Sequence, residues 1–146
     1  MKNQVWLGIG IIFLMLTSCA NKTETDAVVS DFTGTLSETE ISNARLTPEI
    51  LWKFGRISDH QLNQDKSSII YGVTRYDYKT NKSHSDIFSM PAKGGEKVKL
   101  TDSDFSALNQ RWKPDGTKIG YLSSESGDVQ LWEMNPDGSN KTMVSE

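Results

Sequence analysis

Few residues of this chain have types and spacings that could do chemistry. The two histidines, His60 and His84, fall in polar stretches without a set of metal-ligand partners, so we predict solvated positions for both. Asp102 and Asp104 form an acidic pair that could serve general acid–base chemistry, but no partner is near them in the sequence. No G-x-S-x-G motif, which would expose a nucleophilic serine on a sharp turn, occurs. The sequence therefore predicts no catalytic, cofactor-binding or metal-binding residue.

Two further patterns have simpler structural explanations. Residues 135–146 faintly resemble a calcium-binding loop, but such a loop needs its glycine at position six and Gly138 stands at position four. We expect a hairpin turn there instead. Trp112 and Trp132 could line a groove for a carbohydrate or a peptide, but packing of the β-sheet explains both more simply, so we predict core positions.

Length and composition limit the class of protein. The chain has 146 residues, enough for one domain of ordinary size, and 36% hydrophobic residues, within the range of globular proteins. Its formal net charge of −3 offers no electrostatic footprint for nucleic acid. The single cysteine, Cys19, cannot form an internal disulfide, so disulfide usage does not indicate the compartment.

Residues 1–18 are predicted to be a signal peptide. A short positive leader precedes about twelve apolar residues, which as a helix would span about 18 Å, too short for the hydrocarbon core of a bilayer. The sequence Leu16-Thr17-Ser18-Cys19 resembles the lipobox of bacterial lipoproteins, which implies that Cys19 is lipidated and becomes the mature N-terminus. An ordinary signal peptide with an incidental cysteine is the alternative. We expect an exported, lipid-anchored protein of the bacterial cell envelope, in the periplasm or at the outer membrane.

Residues 19–46 are predicted to be the lipidated Cys19 followed by a flexible tether. They are rich in polar residues and contain too few large apolar side chains to offset the entropy lost on ordering. The alternative is an early strand formed by the apolar residues of this stretch, Val28, Val29, Phe32 and Leu36.

The rest of the chain, residues 47–146, contains one short helix followed by strands. Residues 47–55 have the marks of a helix, with Thr47 as N-cap, Pro48 at the first position and Gly55 suited to the C-terminal cap. We predict strands at residues 68–74, 86–90, 96–101, 117–123, 129–134 and 140–145, and a polar connection at residues 75–85.

A repeated turn indicates the architecture. Lys113-Pro114-Asp115-Gly116 fits a type I turn closed by a glycine in the left-handed region, and residues 135–138 contain a second Pro-Asp-Gly turn. Repeat units of about residues 57–104 and 105–146 align at spacings of 50 and 44. Periods of this size with up to four short strands are typical of β-propeller blades. We therefore predict an all-β fold with about two blades of an incomplete propeller, either a piece of a longer protein or one whose open edge meets another chain.

Two segments resemble known families. Residues 111–121 resemble the W-S-P-D-G-K-x-I-A-F blade motif of Tol-type periplasmic propellers, with Lys113 in place of the usual serine. Residues 46–59 and 71–77 resemble the opening of secreted serine peptidases of the prolyl oligopeptidase family, in the acylaminoacyl-peptidase and dipeptidyl-peptidase branch. Where that family has P-D-G-K in its first blade, this chain has Gln64-Asp65-Lys66-Ser67.

The second resemblance implies a function for the longer protein. The catalytic serine, aspartate and histidine of that family lie in a C-terminal α/β-hydrolase domain, and its propeller restricts access to the active site. The chain is thus expected to be the N-terminal propeller fragment of an exported, lipid-anchored serine peptidase that releases short peptides from oligopeptides. No catalytic residue carries over to this chain. The alternative is a non-enzymatic, Tol-like propeller lipoprotein that binds protein partners at the envelope.

Overall fold

The computed structural model describes residues 34–145, which form two antiparallel four-stranded β-sheets after two short helices. The elements of the first half, in chain order, are α1 (Glu38–Ser42), α2 (Pro48–Lys53), β1 (Arg56–Leu62), β2 (Ser68–Asp77), β3 (Lys82–Pro91) and β4 (Val98–Lys99). Those of the second half are β5 (Ala107–Trp112), β6 (Ile119–Ser123), β7 (Gln130–Met134) and β8 (Thr142–Met143). Each sheet keeps its strands in sequence order, as a propeller blade does, and the predicted all-β, two-blade fold is confirmed.

The hairpin between β2 and β3 is tighter than predicted. The two strands pair without interruption from Ser68↔Pro91 to Asp77↔Lys82, so the predicted polar connection at residues 75–85 is wrong and only residues 78–81 connect the strands. The Asp77 carboxylate accepts hydrogen bonds from Lys79 N at 2.9 Å and Thr80 Oγ1 at 2.7 Å, which fixes the turn. The polar residues at 75–77 and 82–85 belong to the ends of the two long strands, where a polar composition resembles that of a loop.

The first strand of each sheet, β1 or β5, carries a bulge at the same place in the repeat. The register of β1 against β2 shifts between Ser58 and Gln61, and that of β5 against β6 shifts between Leu108 and Arg111. Asp59 (φ 49°) and Asn109 (φ 54°) lie in these bulges, fifty positions apart. No strand is predicted from the sequence over residues 56–62, because the bulge interrupts the alternation of apolar and polar residues that marks a strand.

Three turns share one hydrogen-bonding scheme. In each turn the residue in the left-handed region donates its N–H to the carbonyl three residues earlier: Lys66 to Asn63, Gly116 to Lys113 and Gly138 to Asn135, at 2.8–3.1 Å. In each turn the aspartate carboxylate also accepts the N–H two residues on, at 2.8–3.0 Å. The altered first turn therefore keeps the geometry of the other two although Lys66 stands in the glycine position.

The two helices are capped by their own sequences. Ser37 and Glu40 form a capping box on α1, and the Thr47 hydroxyl accepts the N–H of Ile50 on α2, as predicted. Helix α1 lies within the segment predicted to be a flexible tether; the prediction missed the S-x-x-E signal of Ser37 and Glu40. Residues 1–33, with the predicted signal peptide, Cys19 and most of the predicted tether, lie outside the described residues.

Helix α2 differs in two details from the prediction. Its apolar residues Ile50, Leu51 and Phe54 are expected to form one face that packs on the sheet, but only Ile50 is buried, whereas Leu51 and Phe54 are about half exposed. Phe54, not Gly55, is the C-cap. Gly55 is required for a different reason, because a Cβ there would lie 2.6 Å from Val73 Cγ1. Neither α1 nor α2 is long and apolar enough to cross a membrane, and no other helix occurs in residues 34–145.

The hydrophobic core lies between the two sheets. It joins Ile70 and Ile87 of the first sheet to Ile119, Tyr121 and Met134 of the second, each at most 2% exposed. Burial raises the pKa of the Tyr121 hydroxyl to about 12. The two sheets therefore pack as one unit.

Candidate functional site

A polar cluster on β3 combines a histidine, a carboxylate and a hydroxyl. Asp86 Oδ1 lies 3.3 Å from His84 Nε2 and accepts a hydrogen bond of 3.1 Å from Thr101 Oγ1. Its Oδ2 lies 3.0 Å from Lys99 Nζ. Nucleophilic catalysis requires the hydroxyl to bond the histidine, whereas Thr101 and Lys99 both bond the carboxylate. The cluster therefore connects β3 to the chain around β4, and His84 lies half-buried on a strand, not in the predicted loop.

The other candidates for acid–base or metal chemistry have structural partners or face solvent. His60 is exposed on β1, and Asp104 is exposed in the loop before β5. Lys141 Nζ lies 3.1 Å from Asp102 Oδ1, and this hydrogen bond holds the pKa of Asp102 below its usual value. Residues 135–138 form the expected hairpin turn, in which Asp137 bonds Ser139. Within residues 34–145, no group of three or more metal-binding side chains is placed to hold an ion.

Two glutamines join the first strands of the two sheets, because each glutamine side chain bonds the backbone of the opposite strand. Gln110 on β5 is buried, and its Nε2 donates to the Asp59 carbonyl at 2.8 Å. Gln61 on β1 accepts the N–H of Trp112 at 2.8 Å. Arg111 NH2 adds an ion pair of 3.1 Å with the Asp59 carboxylate. Both bulges contribute residues to this seam, so the bulges set the relative position of the sheets.

A groove of about 310 Å³ lies over Gly120 on the second sheet. Leu131 and Val144 line it and are about half exposed. Two of its charged residues are already paired, since Arg111 bonds Asp59 and Lys113 lies 3.7 Å from Glu133, whereas Lys118 makes no ion pair within residues 34–145. Trp112 and Trp132 also border the groove and are partly buried against the core but not within it, so the predicted core positions hold only in part. The groove is a largely apolar sheet face, and the indole N–H groups of Trp112 and Trp132 beside it are buried without a hydrogen-bond partner in the described residues.

A second cavity, of about 350 Å³, lies where α2 meets the β2–β3 hairpin; we call it the hairpin pocket. Its lining residues come from the helix, the ends of both strands and the turn: Trp52, Tyr76, Asp77, Tyr78, Asn81, Lys82 and Ser83. Trp52 and Tyr76 meet edge to face, with ring centroids 5.6 Å apart. Aromatic walls with a few polar groups are typical of sites for small ligands.

Arg56 is an exposed residue that does not itself line the hairpin pocket but contacts two of the aromatic rings that do. Its guanidinium carbon is 4.9 Å from the centroid of the Trp52 ring and 4.5 Å from that of the Tyr76 ring. Such cation–π contacts hold the long side chain in place. Arg56 begins β1 directly after Gly55. Because Gly55 lies close to Val73 of β2, Arg56 is placed between α2 and β2.

Sequence reasoning did not identify this site. Trp52 and Tyr76 are 24 positions apart, and Arg56 stands in a stretch that was not predicted to be a strand. A visible signal was the cluster of aromatic residues at Tyr71, Tyr76 and Tyr78 beside the polar turn, but their partner in α2 depends on tertiary packing.

Comparison with known proteins gives relatives for most of the described chain. No protein-family model matches it. The dipeptidyl-peptidase 5 of Porphyromonas endodontalis is 30% identical over 103 residues, which are 70% of this chain and 15% of that protein. The dipeptidyl-peptidase 5 of Porphyromonas gingivalis is 33% identical over 86 residues, 59% of this chain and 13% of that protein. The chain thus spans less than a sixth of the length of these curated relatives.

A solved structure confirms the fold. The acylaminoacyl peptidase in complex with Z-Gly-Gly-Phe-chloromethyl ketone superposes on 67% of this chain and 15% of its own, with a TM-score of 0.56 and 23% identity. This likeness shows that the two sheets share the fold of the matching part of that structure. From the two dipeptidyl-peptidase matches and this fold, we conclude that the chain is homologous to the N-terminal region of dipeptidyl-peptidase 5 and to the propeller regions of the prolyl oligopeptidase family of peptidases.

Proposed function

We propose that this chain is the propeller portion of an exported, lipid-anchored serine peptidase that releases short peptides from oligopeptides. The observation that carries the proposal is the 30% identity to a dipeptidyl-peptidase 5 over 103 residues. The hydrolytic serine, aspartate and histidine would belong to an α/β-hydrolase domain outside the chain described here.

The propeller would act as a wall that restricts which substrates reach the catalytic domain. A wall that excludes folded proteins must keep its shape, and the seam of Gln61 and Gln110 together with the shared core supports this role. Only flexible chains or chain ends would then pass, because a folded protein is too wide for a closed ring of blades.

Lipidation of Cys19 would attach the protein to a membrane of the cell envelope. Helix α1 is joined to α2 by an ion pair of 2.9 Å between Glu40 and Lys53, so the end of the predicted tether contacts the rest of the described chain.

One experiment tests the peptidase assignment. Antibodies raised against residues 34–145 would be used to isolate the native protein from envelopes of cells that make it. We expect a polypeptide several times larger than 16.3 kDa that reacts with a fluorophosphonate probe specific for serine hydrolases. Pretreatment with unlabelled probe and a preimmune serum are the controls.

Capture of a protein without fluorophosphonate reactivity would contradict the proposal. If such a protein also co-purified with envelope proteins, the non-enzymatic binding module would be the better description. The two outcomes are distinguished by the labelling alone.

A further inference from the structure

We propose that Arg56 and the hairpin pocket form a binding site for a carboxylate carried by a short peptide. The site lies wholly within the described residues. It therefore needs no catalytic domain, and the inference goes beyond the proposed function.

The Arg56 side chain is held against two aromatic rings. An exposed arginine side chain samples many rotamers, and fixing it for a ligand costs entropy. Here the guanidinium lies over the rings of Trp52 and Tyr76, at 4.9 and 4.5 Å from their centroids, so this cost is met before any ligand binds. A guanidinium held in this way presents its N–H groups in a fixed fork, which matches a carboxylate in two-point geometry.

No anion of the described chain pairs with the Arg56 guanidinium. Within residues 34–145 the Arg56 guanidinium makes neither a hydrogen bond nor an ion pair, in contrast to Arg111, which bonds the Asp59 carboxylate. Arg56 is exposed, so an anion from solution can reach its guanidinium.

The adjoining hairpin pocket has a size and a lining that suit part of a short peptide. The hairpin pocket has a volume of about 350 Å³, which suits one or two residues of a peptide and not a folded protein. Lys82 adds a second positive charge to its lining, and Asn81 and Ser83 add neutral polar groups. The Asp77 carboxylate, the acidic group of the lining, is engaged by the turn through Lys79 N and Thr80 Oγ1.

The ligand carboxylate has two sources in a peptide, the C-terminus and an acidic side chain. Both present the same planar carboxylate, so the pocket is expected to accept either group. The experiment below distinguishes the two sources. The aromatic rings would then contact the apolar part of the neighbouring peptide residue.

Isothermal titration calorimetry of the full chain, purified in detergent, tests the site. Three peptides would be used: Ala-Ala-Phe with a free C-terminus, the same peptide as its C-terminal amide, and N-acetyl-Ala-Glu-Phe-amide. We expect the free acid to bind at least about 10-fold more tightly than the first amide, because a charged hydrogen-bonded pair is lost. Binding of the glutamate peptide would identify a side-chain carboxylate as sufficient, and its failure to bind would identify the C-terminus.

The variant Arg56→Lys keeps the charge but removes the two-point fork. We expect affinity for the acid peptide to fall about 10-fold or more. The matched control Arg111→Lys changes an arginine that is already paired with Asp59 and should bind like the wild type. If Arg56→Lys proves poorly folded by circular dichroism, Asn81→Gly replaces it, since glycine suits the φ of 53° at that position while the amide is removed. That variant should bind about threefold more weakly.

Equal affinity for the acid peptide and its amide would overturn the proposal. So would unchanged affinity in a folded Arg56→Lys variant, or the absence of saturable binding of the acid peptide at about 10 mM. None of these results bears on fluorophosphonate labelling, so a failure here is distinguishable from a failure of the peptidase assignment.

Discussion

The backbone of Gly138, in the turn between β7 and β8, lies directly against the backbone of Leu100, which follows β4 in the other sheet. A Cβ on Gly138 would lie 2.8 Å from the Leu100 carbonyl oxygen and 3.1 Å from its Cα. Gly138 also has a φ of 85°, which disfavours any other residue. The glycine that closes this turn therefore also allows the two blades to meet at the level of the main chain.

Replacement of Gly138 by alanine should destabilise the chain more than the same change in an open turn. Gly94 is the matched control, because its φ is 87° and a Cβ there would meet nothing within 4 Å. We expect Gly94→Ala to lower the free energy of unfolding by about 1 kcal/mol, from backbone strain alone. Gly138→Ala should lower it by about 2–4 kcal/mol, because Leu100 backbone must also move. Urea unfolding measures both, and equal losses would show that the contact with Leu100 is unimportant.

Lys66→Gly should stabilise the first turn. Lys66 holds a φ of 59°, in the region that Gly116 occupies in the equivalent turn fifty positions later. Removing the side chain relieves about 1 kcal/mol of strain, offset in part by the greater freedom of glycine in the unfolded chain. We expect a small rise in the melting temperature. Gly116→Ala should lower it, and a fall in both variants would show that Lys66 makes a contact that outweighs its strain.

Loss of the Gln61 side-chain amide should weaken the seam between the sheets. Gln61→Ala leaves the N–H of Trp112 without its acceptor, and we expect the free energy of unfolding to fall by about 1–3 kcal/mol. Gln64→Ala, at an exposed position of the next turn, should change it by less than about 0.5 kcal/mol. Guanidinium unfolding of Gln61→Ala, Gln110→Ala and the double variant Gln61→Ala/Gln110→Ala would measure the coupling. Strict additivity in this cycle would argue against a cooperative seam.

The carboxyl of Glu40 should remain ionised well below the usual pH range. Hydrogen bonds from Lys53 and from Ser37 lower the pKa of Glu40 from 4.5 to about 2. Because the pKa is lower in the folded chain, the contact stabilises α1 above about pH 4.5 and is lost as pH falls towards 2. A carbon-detected NMR titration of the side-chain carboxyl follows this directly. Lys53→Met should raise the midpoint, and a wild-type midpoint near 4.5 would contradict the pairing.

Cys19 should incorporate lipid when the full chain is made in bacterial cells. Labelling with radioactive palmitate is expected for the wild type and not for Cys19→Ala, because the thioether bond requires the thiol. Ser18→Ala is the control, since it keeps a small residue before the cysteine. Equal labelling of the wild type and Cys19→Ala would contradict lipidation at this residue.

Much of the fold was predictable because its signals are local. Pro114, Asp115 and Gly116 determine a turn by their own conformational preferences, and the spacing of this turn from its copies indicates the blades. The same reasoning failed at β1 and at residues 75–85. In β1 the bulge at Asp59 interrupts the alternation of apolar and polar residues on which strand prediction depends. At residues 75–85 the strands are polar on both faces, so no such alternation is visible.

The sequence by itself therefore determined the blade repeat, the turns, the capped α2 helix and the likeness to peptidase propellers. Tertiary structure decided which residues meet across long separations. Arg56 lies between Trp52 and Tyr76, Gln110 bonds the Asp59 carbonyl, and Gly138 touches Leu100 only after the helix and sheets have packed. The physical reason is that hydrogen bonds within a turn depend on neighbours in the chain, whereas a pocket or a seam depends on how separate elements bury their surfaces together.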